Sequence, residues 1–236
     1  MQRRSRFYTL PTMAAFAAGI AWAGLALAGD IAPGVSVKQR AFDAPINEQP
    51  YFGFAQKTDA QKAADAKFIE AITVRGGMSR EQGGAEVADA GWQFIAQRKD
   101  WATAAKRFNQ AWLLDPARSD IAHGFALVVS ERFNNLDYAI ELFEAAARLK
   151  HPLVALPVDH ARVLLRGGRA DEAVRLMEEA VRQKPDYIEL HVGLAAVYLN
   201  TRQRQRACEV IGKAPPTNNP DIKREISRVQ HDAKCF

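Results

Sequence analysis

Apolar and small residues recur at fixed offsets in four stretches of this chain, with polar residues between them. Ala104, Phe108 and Ala111 are followed by Ala139, Phe143 and Ala146, then by Ala173, Met177 and Ala180, and finally by Ala207, Ile211 and Ala214. The leading alanines are 35, 34 and 34 residues apart. Offsets of four and three place each trio on one face of a helix. Lys99-Asp100, Asn134-Asn135, Gly167-Gly168 and Arg202-Gln203 read as turns that divide each stretch into two amphipathic helices of about 12 to 14 residues. A period near 34 predicts an all-α solenoid of helical hairpins, each burying its apolar face only against its neighbours.

Ala104, Phe108, Ala111 and Pro116 also carry a resemblance. They stand where the tetratricopeptide repeat family has a small residue, an aromatic, a small residue and a helix-ending proline, and Leu194 and Tyr198 match that family's leucine and tyrosine on a first helix. Trp92 departs from it at a small-residue place, Ile95 at a tyrosine place, and Leu127 and Ser130 at both places in the second unit. The resemblance covers about Ala85 to Asn219 and implies a right-handed array of four units, near 85–118, 120–153, 154–187 and 188–219. It further implies that the first helix of each unit lines a concave groove that holds a peptide.

Outside the repeats, residues 29–57 contain Pro33, Pro45 and Pro50 with no sustained period, which predicts an extended or disordered leader. N-terminal helices are expected over 58–84. Thr58 with Gln61 and Ser79 with Gln82 form capping-box patterns, Gly76-Gly77 ends the first helix, and Gly83-Gly84 is expected to loosen the next. Ile222, Ile226, Val229, Ala233 and Phe236 form one apolar stripe, so residues 220–236 are expected to be a helix capping the stack.

The N-terminus changes the compartment. Arg3, Arg4 and Arg6, an apolar run from Met13 to Leu27 and the ending Ala26-Leu27-Ala28 describe a cleaved export signal over residues 1–28, with no stable membrane insertion afterwards. Its removal takes away three arginines and no acid, lowering the formal charge from +5 to +2. That near balance gives no case for nucleic-acid binding. A periplasmic or secreted location is expected, and there the chain's two cysteines, Cys208 and Cys235, are expected to form a disulfide.

The candidate chemistry is that of recognition. No HExxH, GxSxG, paired CxxC or glycine-rich nucleotide loop occurs, so no catalytic, metal or cofactor residue is assigned. His123 and His191 fall at equivalent places in alternate units, too far apart for joint metal ligation, and Asp159-His160 are helical neighbours that do not face each other. Registering the units on their alanines puts Gln93 and Gln97, Val128 and Arg132, Arg162, Leu165 and Arg166, and Leu199 and Asn200 in the peptide groove, together with Asp89, Glu131 and Ala196. Arg132, Arg162 and Arg166 would favour acidic groups, whose carboxylates guanidinium forks fit. The expected function is an exported non-catalytic scaffold binding a protein or peptide. Its rivals are a structural subunit that uses the convex face or the leader and, lower, an envelope hydrolase or transferase.

Overall fold

A computed structural model describes residues 28–235. The expected export signal, apart from Ala28, and Phe236 lie outside the described residues. Four helical hairpins form the array: α2 (Arg80–Arg98) with α3 (Trp101–Leu114), α4 (Ser119–Arg132) with α5 (Leu136–Ala147), α6 (Leu156–Arg166) with α7 (Ala170–Gln183), and α8 (Ile188–Asn200) with α9 (Arg204–Gly212). Lys99, Asn134, Gly168 and Arg202 take left-handed backbone at the four turns inside the hairpins, so one conformation recurs with the period of the alanines. Asp100 and Asn135 then cap the following helices by accepting from the amides of Thr103 and Tyr138.

The repeated trios form the spine of the core. Ala104, Phe108, Ala111, Ala139, Phe143, Ala146, Ala173, Met177 and Ala207 are fully buried. Trp92 fits where the family has a small residue because its neighbours are small instead. A Cβ at Gly91 would stand 2.7 Å from the Phe108 ring, and one at Gly124 2.3 Å from it. Phe108 therefore occupies the space of two missing side chains, and Trp92 turns to meet it edge-on at 5.8 Å.

The leader departs most from expectation. Instead of being extended or disordered, it folds as an antiparallel hairpin, β1 (Ala28–Ala32) and β2 (Val35–Lys38), followed by 3-10 turns at Ile46–Glu48 and Pro50–Phe54. The chain is thus mostly helical rather than wholly so. The leader lies against the second helices α3 and α5 and the C-terminal end of α4: Trp112 donates to the Ile31 carbonyl (2.6 Å), the Lys38 amide donates to Glu141 (2.5 Å), and Phe42 stacks on Phe133, the residue after α4, at 4.2 Å. Its centre is clamped by Asn109, which is fully buried. The Asn109 amide accepts from the Phe52 N–H (3.0 Å) and donates to the carbonyls of Asn47 (3.0 Å) and Gln49 (2.7 Å). This clamp holds Tyr51, Phe52, Gly53 and Phe54 in left-handed backbone, which costs a non-glycine residue about 1–2 kcal/mol. Burial of Tyr51 and Phe52, with Tyr51 edge-on to Phe125 at 4.8 Å, offsets that cost.

Between leader and array, α1 (Asp59–Glu70) carries the Thr58–Gln61 capping box and continues as a π-helical turn over Ala71–Arg75 before Gly76 and left-handed Gly77. The Ser79–Gln82 box opens α2, which places the start of the first hairpin at Arg80 rather than near 85. Gly83 and Gly84 do not loosen α2. Both are buried inside an unbroken helix, where Gly83 lets Ile72 approach and Gly84 lets Asp115 approach.

At the other end α10 (Pro220–Ala233) packs on α8 and α9 with Val229 and Ala233 buried. Cys208 of α9 and Cys235 are disulfide-bonded with Cα atoms 5.5 Å apart, closing a loop with a sequence separation of 27. Closing such a loop constrains the unfolded chain by on the order of 3 kcal/mol. Reduction is therefore expected to release α10 first. Hydrogen exchange in dithiothreitol should show amides of α10 losing protection while those of α4 and α5 keep theirs; uniform loss along the array would contradict this.

Candidate peptide-binding face

The first helices α2, α4, α6 and α8 present one row of side chains per unit. Gln93, Gln97, Arg162, Arg166 and Asn200 are exposed on that row, and Leu165 and Leu199 are half-buried. Val128 is not on it. It is fully buried, because α4 is enclosed along nearly its whole length, from Ser119 to Ala126 and again from Val128 to Ser130. The outward positions of unit two are instead Leu127, half-buried, and Glu131, exposed. The row is thus turned by one residue in this unit. Leu127 was visible in the sequence only as a departure from the family's small residue.

Arg132 also leaves the row. It reaches the leader, where it donates to Glu48 at 2.6 Å while Lys106 approaches the same carboxylate at 3.0 Å. Arg132 first, and Lys106 after it, hold the Glu48 carboxyl below the ordinary carboxylate range. The other two arginines carry carboxylates of their own. Arg162 donates to Asp159 one turn earlier (2.7 Å), and Arg166 pairs with Glu131 and donates to the Ser130 carbonyl (3.2 Å), joining α6 to α4. Arginine and carboxylate therefore balance along the row, and the acidic preference expected of three unpaired arginines is not supported there. An acidic ligand would have to displace Glu131 or Asp159. Asn200 donates to the Ala196 carbonyl (2.8 Å), which leaves its side-chain oxygen outward as an acceptor.

Beneath the row, an aromatic column crosses three units. Trp92 lies edge-on to His123 at 4.8 Å, His123 is 5.4 Å from Phe143, and Phe143 stacks on His160 at 5.1 Å. Asp159 does not pair with its neighbour His160. Its carboxylate meets His123 Nε2 of the preceding unit at 3.0 Å, a contact that only stacking creates. His123 is fully buried, so its side of the pair faces the core and only Asp159 keeps contact with solvent. His191 is buried as well, with Nε2 2.8 Å from the Pro185 carbonyl. Among the described residues, no group of three or more His, Cys, Asp or Glu could hold a metal ion, and no helix is long and apolar enough to cross a membrane.

Residues 164–224 match the family model described as the tetratricopeptide repeat. Among solved structures, the chain is similar to that reported in a functional characterization of Pseudomonas aeruginosa pilF, with 19% identity, 66% of this chain and 72% of that one covered, and a TM-score of 0.54. It is also similar to YrrB, a TPR protein with an unusual peptide-binding site (18% identity, 75% and 84% covered, TM-score 0.46), and to MamA (14%, 74% and 99%, 0.44). No curated protein matches the sequence. At these identities the likeness is one of fold. The chain is a mostly helical, tetratricopeptide-like array of helical hairpins, four of them among the described residues, preceded by a folded leader and closed by a disulfide-linked helix.

Proposed function

We propose that this protein is an exported, non-catalytic scaffold that holds an extended segment of a partner protein along its first-helix face, in the periplasm or cell envelope. One observation carries the reading. The leader already covers the second helices of units one and two and reaches Phe125 and Arg132 of α4, while the rest of the first-helix row keeps exposed polar side chains interleaved with half-buried Leu127, Leu165 and Leu199. A row of that kind, repeated once per unit, suits a chain lying along the stack, with amides and ion pairs bonding its backbone and leucines taking its apolar side chains. The basic, apolar and small-residue order of the N-terminus supports export, and a disulfide suits an oxidising compartment.

The test is a cross-linked pull-down from the native envelope with the wild type and an Arg162→Glu, Leu199→Glu double variant. Arg162 is bonded only within its own helix, whereas half-buried Leu199 packs against the core, so the melting temperature is expected to fall modestly and a cooperative melt will show that the double variant folds. Partner recovery is expected to fall about tenfold, and the recovered chain should have the mass of a protein beginning at Gly29. Recovery that survives the double variant but is lost on reversing Arg40 and Asp43, exposed on the leader, would favour the structural-subunit reading instead.

A further inference from the structure

Unit three enters the stack differently from its neighbours. α6 has 11 residues, against 14 in α4 and 13 in α8. The connection before it runs over residues 148–155, whereas 115–118 and 184–187 suffice before α4 and α8. The repeat period is unchanged, so the connection takes the place of the last residues of α5, which has 12 against 14 in α3 and α7, and of the first turn of α6. Left-handed His151 followed by Pro152 keeps α6 from starting earlier. Lys150 is tied back to the preceding connection, donating to the Ala117 carbonyl and accepting from the Ser119 amide, each at 2.9 Å.

The missing turn leaves an apolar cleft of about 260 Å³, walled by Leu153, Val154, Leu156, Leu176, Ala180 and Leu190. Three large hydrophobic residues are exposed among the described residues, and two adjoin this cleft: Leu153 at 40% and Tyr187 at 45%. Tyr187 lies beneath Lys184, which lines the cleft, with the ammonium 5.8 Å from the ring centre. Arg148 and Lys150 are exposed on the same connection as Leu153. The carboxylate in the wall, Glu179, is already held by Arg182 and Gln183. Asp186, exposed beside Tyr187, is outnumbered by Lys184, Arg148 and Lys150, so the rim is net basic and the floor apolar.

We propose that this cleft is a second docking site, which takes one bulky apolar side chain, phenylalanine or leucine, presented on an acidic segment of a partner protein. Its volume is below that of pockets for whole small molecules and suits a single large side chain. Apolar side chains exposed beside a cleft are the signature of such an anchor, and the rim cations select the charge of the flanking residues. The cleft takes Leu156, Pro157 and His160 from the start of α6, Leu176, Glu179, Ala180 and Gln183 from α7 and Leu190 from α8, and it shares no side chain with the exposed row of Gln93, Gln97, Arg162, Arg166 and Asn200, so either site can fail without the other.

The probe is a fluorescent hexapeptide with one phenylalanine among aspartates and glutamates, titrated by anisotropy and by amide chemical shifts of the mature protein. Saturable binding is expected, with shifts concentrated over residues 152–158 and 176–184. It should be lost when the peptide's phenylalanine becomes alanine, and weakened about tenfold or more by Leu153→Glu and by Lys184→Glu. Both substitutions are at exposed positions, so unchanged melting curves will show that the variants fold. No saturable binding, affinity unchanged in both variants, or shifts that centre on Gln93, Gln97, Arg162, Arg166 and Asn200 instead would overturn the proposal.

Discussion

Replacing Asn109 by leucine is expected to undock the leader while the four hairpins stay folded. Leucine keeps the heavy-atom count and branched outline of asparagine but leaves the Phe52 N–H and the carbonyls of Asn47 and Gln49 without their partner. Each buried backbone group left unpaired costs about 1–3 kcal/mol, so the loss should be on the order of 3–5 kcal/mol. Nothing else on α3 can replace the bonds to the left-handed turn at Tyr51–Phe54, whose strain then favours release. Urea unfolding should show an early transition, and limited proteolysis should cut within residues 40–57 before it cuts the array. A variant with a wild-type urea curve and a protease-resistant leader would show that the hairpin and aromatic contacts hold it without the clamp.

Acid is expected to weaken the array through His160 before it reaches the carboxylates. Burial, with Arg169 adding to it, pushes the His160 imidazole down to about 4 from an ordinary 6.5. Between those values the unfolded chain binds a proton that the folded chain refuses. Stability from this group is therefore full above about pH 6.5 and declines as pH falls toward 4, by on the order of 3 kcal/mol in all. The ion-paired carboxyls act lower. Glu48 and Glu172, held down chiefly by Arg132 and Arg169 respectively, lose their stabilising contribution only as pH falls below the ordinary carboxylate range. The two windows separate the causes. Thermal melts at pH 7 and pH 4.5 should differ clearly for the wild type and much less for His160→Phe, which keeps a ring stacked on Phe143 and removes the titration. An equal shift in both proteins would assign the acid sensitivity elsewhere.

The four hairpins were legible because each rests on local rules. Small residues at offsets of four and three, a turn every unit, and Thr58, Ser79, Asp100 and Asn135 before helices are short-range signals, and the same backbone turn recurs wherever they do. The candidate face was legible only in part. Gln93, Gln97, Arg162 and Arg166 come out exposed as registered, but Val128 does not, because the rotation of α4 is set by what encloses it and not by the period.

The leader marks the limit of sequence reading. Its prolines and scattered apolar residues have no period because its order comes from another part of the chain: Asn109 and Trp112 supply the bonds, and Phe125 and Phe133 the faces. The sequence by itself determined the repeat, its period, its turns and its caps, since those depend on residues within a few positions of one another. Tertiary structure alone decided that residues 28–57 fold onto α3, α5 and part of α4, that Arg132 and Arg166 are already paired, and that His123 meets Asp159. Each of these joins groups more than 30 residues apart, and such contacts exist only once the hairpins have stacked and brought their partners within reach.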